Sequence, residues 1–279
     1  MPAGARPGDV GYNSAMNKTT DQDFLRNDQY RQPDKLAARQ ALHQRYSTNP
    51  YGWMPWVMDI LDLRPGMRVL EVGCGPGDLW VENLKRLPSD IHVTLLDLSP
   101  GMVQQARRAL AGDRRFTFGC GDVQALPCPA QRFDRVIANH MLYHVPDVGR
   151  AAAELRRVLA PGGLLAAATN GRGHMGELYD LIRTVEPGFR PPLNTANFSL
   201  ENAAQNLAPV FGAVEVRRYE DALWVTESQP LLDYVLSMFS LNDWQPAWEA
   251  SLRARITAQI AAQGGVRIHK ATGLVLGRG

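Results

Sequence analysis

Only three cysteines occur in the 279 residues, Cys74, Cys120 and Cys128. They are too few and too irregularly spaced for a disulfide framework or a CxxC metal site. No apolar run approaches the roughly 20 residues of a membrane span. The first twenty residues, MPAGARPGDVGYNSAMNKTT, lack the apolar core of a secretory signal. Neither sign of charge prevails: 30 Lys+Arg against 28 Asp+Glu leave +2, far from the basicity used to wrap nucleic acid. These absences point to a reducing cytoplasm, with neither a membrane nor a nucleic acid as partner. What is present, 45% hydrophobic and 21% charged residues, describes a globular chain. It is long enough for one large α/β domain with attached segments, or for two small domains.

Residues 1–22 are rich in Gly, Ala, Asn and Thr without periodicity and are expected to form a mobile tail. The stretch 23–62 combines a helical pattern in KLAARQALHQRY with an aromatic segment, NPYGWMPWVMDIL, and is expected to be a helical lid. From Arg68 the rhythm changes. RVLEV reads as a buried strand, followed by the glycines Gly73, Gly75 and Gly77 and a helix to about Leu87. Strands are expected at IHVTLLD, Arg115–Gly119, DRVIAN and LLAAAT, with helices between them. Ser99 with Pro100 makes a helix start, and Pro161-Gly162-Gly163 is read as a loop after a helix over Asp147–Leu159. Strand alternating with helix over a hundred residues implies βαβ units and a parallel sheet covered on both faces. Beyond Asn170 come helices near Glu177–Val185 and from Ser199, strands at Val214–Tyr219 and Ala222–Thr226, helices at Pro230–Phe239 and Trp248–Ala262, and a last strand at Val266–Leu276. Residues 63–279 are thus expected to form the main domain, with insertions at about 171–212 and 227–263.

The segment Glu71-Val-Gly-Cys-Gly-Pro-Gly-Asp78 joins a buried strand to a helix, the place where a doubly wound sheet holds a nucleotide. Glycines there let the backbone turn tightly and approach a ligand. Asp97 ends the next strand 20 residues beyond Gly77, where a carboxylate can take both ribose hydroxyls. A dinucleotide fingerprint requires a small residue at position 78, because a diphosphate faces that helix start. Asp78 would repel it. S-adenosylmethionine carries a sulfonium and an ammonium group instead, so carboxylates at 71 and 78 are compatible with it.

VLEVGCGPG, LLDLSPGM, GCGDVQALPCP, FDRVIANHMLYHVPD and ELRRVLAPGG resemble the successive motifs of class I S-adenosylmethionine-dependent methyltransferases, especially the ubiquinone/menaquinone-biosynthesis-like branch. The resemblance covers roughly residues 54 to 170. It implies a doubly wound, seven-stranded, mostly parallel α/β sheet with a helical insertion before the last strand, and S-adenosyl-L-methionine as cofactor. It also implies that Glu71, Gly73 and Gly75 line the methionine end; Cys74 between them, where many relatives have another small residue, departs from the pattern and is counted with the cofactor-binding residues as a free, unreactive thiol. Asp97 would bind the ribose, Leu98 and Met102 would lie against the adenine, Asp122 and Val123 would cover its other side, and Asn139 would sit near the methionine moiety.

Methyl transfer is an in-line displacement that needs positioning, exclusion of water and, for some acceptors, removal of a proton. His140, directly after Asn139, is the candidate base. His174, beyond the fifth strand, is a candidate substrate contact. His140 and His144 are four apart, but Met141 stands where a metalloprotease has Glu, so no metal site is expected. Trp53 and Trp56 before the motif region, and Trp224, Tyr234 and Trp248 after it, are read mainly as anchors of appended helices, some lining an apolar pocket. The expected enzyme methylates oxygen or nitrogen of a small, partly apolar acceptor of secondary metabolism, as a monomer or homodimer. Its rivals are a nicotinamide-dependent oxidoreductase, a C-methyltransferase of quinone or isoprenoid type, and a non-catalytic cofactor-binding regulator.

Overall fold

A computed structural model of the chain describes residues 33–191, 195–238 and 245–279. The expected tail at 1–22 and the first part of the expected lid lie outside these residues. The described chain divides into two compact units. One comprises residues 51–174, 195–220 and 271–279, and the other the described residues within 1–50, 175–193 and 221–270.

The first unit is organised by the sheet. Strands β1 (Arg68–Val72), β2 (His92–Asp97), β3 (Phe116–Cys120), β4 (Phe133–Asn139), β5 (Leu159–Asn170), β6 (Ala213–Val225) and β7 (Val266–Arg278) form it in the order β3-β2-β1-β4-β5-β7-β6. The pairs from β3 through β5 are parallel and β7 runs antiparallel to β5. Side chains alternate between the two faces of a strand. Leu70, Val72, Val136, Ala138, Leu165 and Ala167 therefore share one core with Leu155 and Val158 of helix α5 (Val148–Val158). Val69, Leu95, Ile137 and Ala166 share the other with α2 (Trp53–Leu61), α3 (Asp78–Asn83) and α4 (Pro100–Ala109). Helix α4 starts as its sequence indicates, with Pro100 at its first turn and Ser99 Oγ accepting from Met102 N–H at 3.5 Å.

Several boundaries differ from the sequence reading for physical reasons. Helix α5 ends at Val158, and Pro161-Gly162-Gly163 lies inside β5, where the register shifts against β4 between Phe133 and Arg135. The motif is a bulge within a strand, for which Gly162 supplies φ +73°. The two strands expected after 213 are one, because the polar Glu220-Asp221 step that looked like a break has its carboxylate satisfied on the spot. Ser47 Oγ donates to Asp221 at 2.8 Å, Asn49 N–H at 3.1 Å and Lys270 Nζ at 2.5 Å. Helix α3 stops at Asn83 and gives way to a 3-10 turn over Leu84–Arg86.

The second unit contains α1 (Pro33–Tyr46), α6 (Gly176–Arg183), α8 (Ser228–Met238) and α9 (Pro246–Gln263), around a core that includes Leu42, Ile182, Leu223, Leu231, Val235, Ile256 and Ile268. A five-residue helix α7 (Ala203–Leu207) belongs to the sheet unit, shorter than the helix expected from Ser199. The stretch 23–62, expected as one lid, is therefore divided: α1 belongs to the second unit and α2 to the first. The expected insertion at 171–212 is divided in the same way, with 175–191 in the second unit and 195–212 in the first.

Candidate active site

The loop after β1 is held by its glycines. Gly73 and Gly75 adopt φ +64° and +54°, a region that side-chain-bearing residues reach only with strain. A Cβ at Gly73 would lie 2.8 Å from the Met141 side chain, whereas one at Gly75 would point into open space. The loop therefore packs tightly against the turn after β4 on one side and leaves room on the other. Cys74, between the two glycines, donates its N–H to Leu96 O at 3.1 Å. Burial pushes its thiol pKa far up, which keeps it protonated.

Two carboxylates flank the loop. Glu71 shares the Val69 face of β1 and is buried at 2% exposure, where Trp80 Nε1 of α3 donates to its Oε2 at 2.5 Å. Burial pushes the Glu71 carboxyl up to about 8, against the opposing pull of that hydrogen bond. Asp97 ends β2 with both oxygens engaged: Gly75 N–H donates to Oδ2 at 2.9 Å and Ser99 N–H to Oδ1 at 2.8 Å. Burial raises its pKa, and the N–H groups of Ser99, Gly75 and Leu98 oppose the rise. Each oxygen keeps a lone pair for a further donor. Met102 and Val123 are buried, Leu98 is half-buried, and Asp122 Oδ1 accepts from Gln124 N–H at 2.9 Å. Gly121 N–H donates to Asp97 O at 3.0 Å, tying the Asp122 turn to the end of β2.

At the end of β4, Asn139 Oδ1 is buried with no hydrogen-bond partner among the described residues. His140 follows at φ +54° and donates its N–H to Ala168 O at 3.2 Å. Its ring lies 5.3 Å from that of Trp53 and 6.5 Å from that of Tyr143. Trp53 in turn meets Trp56 at 5.2 Å and Tyr219 at 5.4 Å. His174 N–H donates to Gly171 O at 3.1 Å, closing the turn after β5, and His144 packs its ring against Tyr143 at 4.6 Å. The strand register aligns β1, β2, β4 and β5, so Glu71, Asp97, Asn139 and His140 come to one sheet edge, while His174 sits one turn beyond β5. Two features escaped the sequence reading. Trp80 meets Glu71 only because α3 returns over the Val69 face, and Tyr219 joins Trp53 only because β6 pairs at the far side of the sheet.

Residues 69–163 match the family model of a methyltransferase domain. Over these residues the chain is similar to methyltransferase domains, for which S-adenosylmethionine is the methyl donor. The site fits that cofactor: Asn139 has a buried oxygen with no partner among the described residues, Gly75 opens onto free space, and Asp97 retains acceptor capacity. The methyltransferase domain has curated relatives of several specificities. A malonyl-[acyl-carrier protein] O-methyltransferase of Enterobacter lignolyticus is 35% identical over 133 residues, 47% of this chain and 49% of that protein. A demethylmenaquinone methyltransferase of Listeria welshimeri is 29% identical over 178 residues, 63% of this chain and 68% of that one. A 37.1 kDa protein in transposon TN4556 of Streptomyces fradiae is 38% identical over 109 residues, 39% of this chain and 32% of that protein. The chain thus spans a third to a half of the length of the first and third of these relatives. In fold, the domain is similar to phosphoethanolamine N-methyltransferase 2 of Haemonchus contortus, whose structure contains S-adenosyl-L-methionine. The TM-score is 0.57 at 19% identity, over 92% of this chain and 59% of that one. Among the described residues no helix is long and apolar enough to cross a membrane.

Proposed function

We propose that the protein moves the methyl group of S-adenosylmethionine to oxygen or nitrogen of a small, partly apolar acceptor. The cofactor, when bound, supplies a sulfonium-activated methyl group open to in-line displacement. In this reading Glu71, Gly73, Gly75 and Asn139 hold its methionine end, Asp97 takes the ribose hydroxyls, Leu98 and Met102 lie on one side of the adenine, and Asp122 and Val123 on the other. His140 accepts the acceptor's proton, oriented by Trp53 and Tyr143, and His174 contacts the substrate. The segment around α2, whose Trp53 packs on His140, takes the role of excluding water. The proposed partner is a small molecule, and the proposed setting is the cytoplasm, with a monomer or homodimer as the working form.

The observation that supports this best is Asp97, fixed by one backbone N–H on each oxygen beside a glycine loop. Asp78 at the first position of α3 disfavours a diphosphate there and with it a nicotinamide cofactor. A thermal-shift panel tests the reading, because a ligand that binds only the native state raises the melting temperature. S-adenosylmethionine and S-adenosylhomocysteine should both raise it, and NAD and NADP should not. The reverse pattern would overturn the assignment.

A further inference from the structure

The geometry points to the open edge of β6 as the place where a second copy of this chain pairs, strand against antiparallel strand, about a two-fold axis at Val216. This concerns assembly and does not depend on the methyl-transfer reading.

Strand β6 ends the sheet on the side away from β3. Its thirteen residues exceed the five or six of an ordinary strand. Among the described residues its outer side is met only toward the far end. There Thr48 N–H donates to Ala222 O at 2.8 Å, and Ala222 N–H donates to Thr48 Oγ1 at 3.1 Å. The backbone groups of successive strand residues point to opposite sides, so Val214, Val216 and Arg218 turn their N–H and C=O outward as Ala222 does. An edge of this kind is a template for another strand unless Pro, Lys or a bulge guards it. The run from Ala213 to Glu220, AVEVRRYE, has neither Pro nor Lys, and Val216 is 36% exposed.

The charges on this run decide the partner and the register. In an antiparallel pair centred on Val216, Val216 faces its own copy, Val214 faces Arg218, and each Glu215 faces an Arg217. Glu215 and Arg217 already share one face of the strand, with Arg217 Nε 2.7 Å from Glu215 Oε1 and both side chains about half exposed. Opposite charges at facing positions stabilise a strand pair, and like charges oppose it. Moving the axis to Glu215 or to Arg217 keeps the outward groups paired but sets Glu against Glu or Arg against Arg. The Val216 register avoids both, and it packs the exposed Val216 side chain against its copy. An unrelated extended segment has no reason to carry this complement, whereas a second copy of the chain carries it by symmetry.

The test is sedimentation velocity of the full chain over a wide range of concentration, where a monomer–dimer equilibrium is expected. Glu215→Arg and Arg217→Glu should each weaken the dimer about tenfold, because each sets like charges across the axis twice. The double exchange should return it to within about threefold of wild type. Val216→Pro, whose missing N–H lies on the outer side of the strand, should abolish the dimer. Circular dichroism checks that each variant is folded, and the charge reversals decide the matter if Val216→Pro fails to fold. Amide exchange at Val214, Val216 and Arg218 should slow as concentration rises, and exchange at Glu215 and Arg217 should not. A chain that stays monomeric at every concentration overturns the inference and leaves the edge to an extended segment of another protein. A dimer indifferent to the charge reversals and to Val216→Pro pairs through another surface and overturns it as well.

Discussion

The indole N–H of Trp80 donates to Oε2 of Glu71 at 2.5 Å, joining the first strand of the sheet to the helix that follows the glycine loop. Both side chains are buried, Trp80 at 0% and Glu71 at 2% exposure, so a carboxyl group sits in a largely apolar layer with one donor. Burial outweighs that donor, and the group holds its proton up to about pH 8.

Stability without cofactor should therefore depend on pH in a defined direction. An unfolded Glu titrates near 4.3, so between that value and about 8 the folded protein holds a proton that the unfolded chain has lost. Stability is greatest below this window, falls as pH rises through it, and loses a few kcal/mol in total. Urea denaturation at pH 5.5 and 8.5 should show the drop, and Glu71→Gln should remove most of it. A cationic ligand beside Glu71 favours the ionised form, so S-adenosylmethionine should bind more tightly as pH rises toward 8. A flat affinity profile would count against contact between the two.

Asp97→Asn keeps the shape of the side chain but discards its charge. Charge-assisted hydrogen bonds to two ribose hydroxyls are worth roughly 1.5–3 kcal/mol each, so Asp97→Ala should weaken cofactor binding by about a hundredfold and Asp97→Asn by less. Calorimetry showing a loss under fivefold for Asp97→Ala would sink the assignment.

For His140 the backbone dictates the choice of variant. At φ +54° alanine is strained, while asparagine tolerates the conformation. His140→Asn should lower kcat by about a hundredfold or more with little change in cofactor affinity. Equal losses of binding and rate would make His140 a wall of the pocket instead.

Gly73→Ala tests the packing of the loop on Met141. The added Cβ meets the Met141 side chain at 2.8 Å and suffers the strain of φ +64°, at a cost of about 1–2 kcal/mol for the backbone alone. Adding Met141→Gly, which removes both the Cβ and the Cγ that the new methyl meets, should recover part of the lost cofactor affinity, because the two positions are in direct contact. Strictly additive losses would contradict that.

In the second unit, Lys270 and Asp221 form an ion pair with side-chain exposures of 9% and 0%. Burial pushes the Asp221 carboxyl up, but Lys270, Ser47 and Asn49 outweigh it and hold the pKa below the usual range. Asp221→Ala removes the carboxylate that pairs with the buried Lys270 ammonium and should cost about 3–5 kcal/mol. In the wild type this contribution is present above the unfolded Asp pKa and is lost as pH falls through the folded value. Denaturation curves of the variant against wild type at pH 7 measure the cost.

The order of strands and helices from Arg68 to Asn170 is written in the sequence because each signal there is local. RVLEV and DRVIAN are short runs buried on both faces, Ser99-Pro100 starts a helix, and three glycines mark the loop. The same locality misled at Pro161-Gly162-Gly163 and at Glu220-Asp221. Turn-like residues sit inside continuous strands there, since a bulge absorbs the first and a partner network satisfies the second. Which carboxylate is buried and which aromatic rings face His140 depend on residues far apart in the chain: Trp80 over Glu71, Met141 against Gly73, Tyr219 beside Trp53. The sequence by itself determined the strand-loop-helix unit and the place of Asp97 at the end of the next strand, because hydrophobic periodicity and glycine geometry act over a few residues. Only the tertiary structure decided the protonation of Glu71, the surroundings of His140 and the assignment of α1 and α2 to different units, because burial and desolvation arise when distant segments pack together.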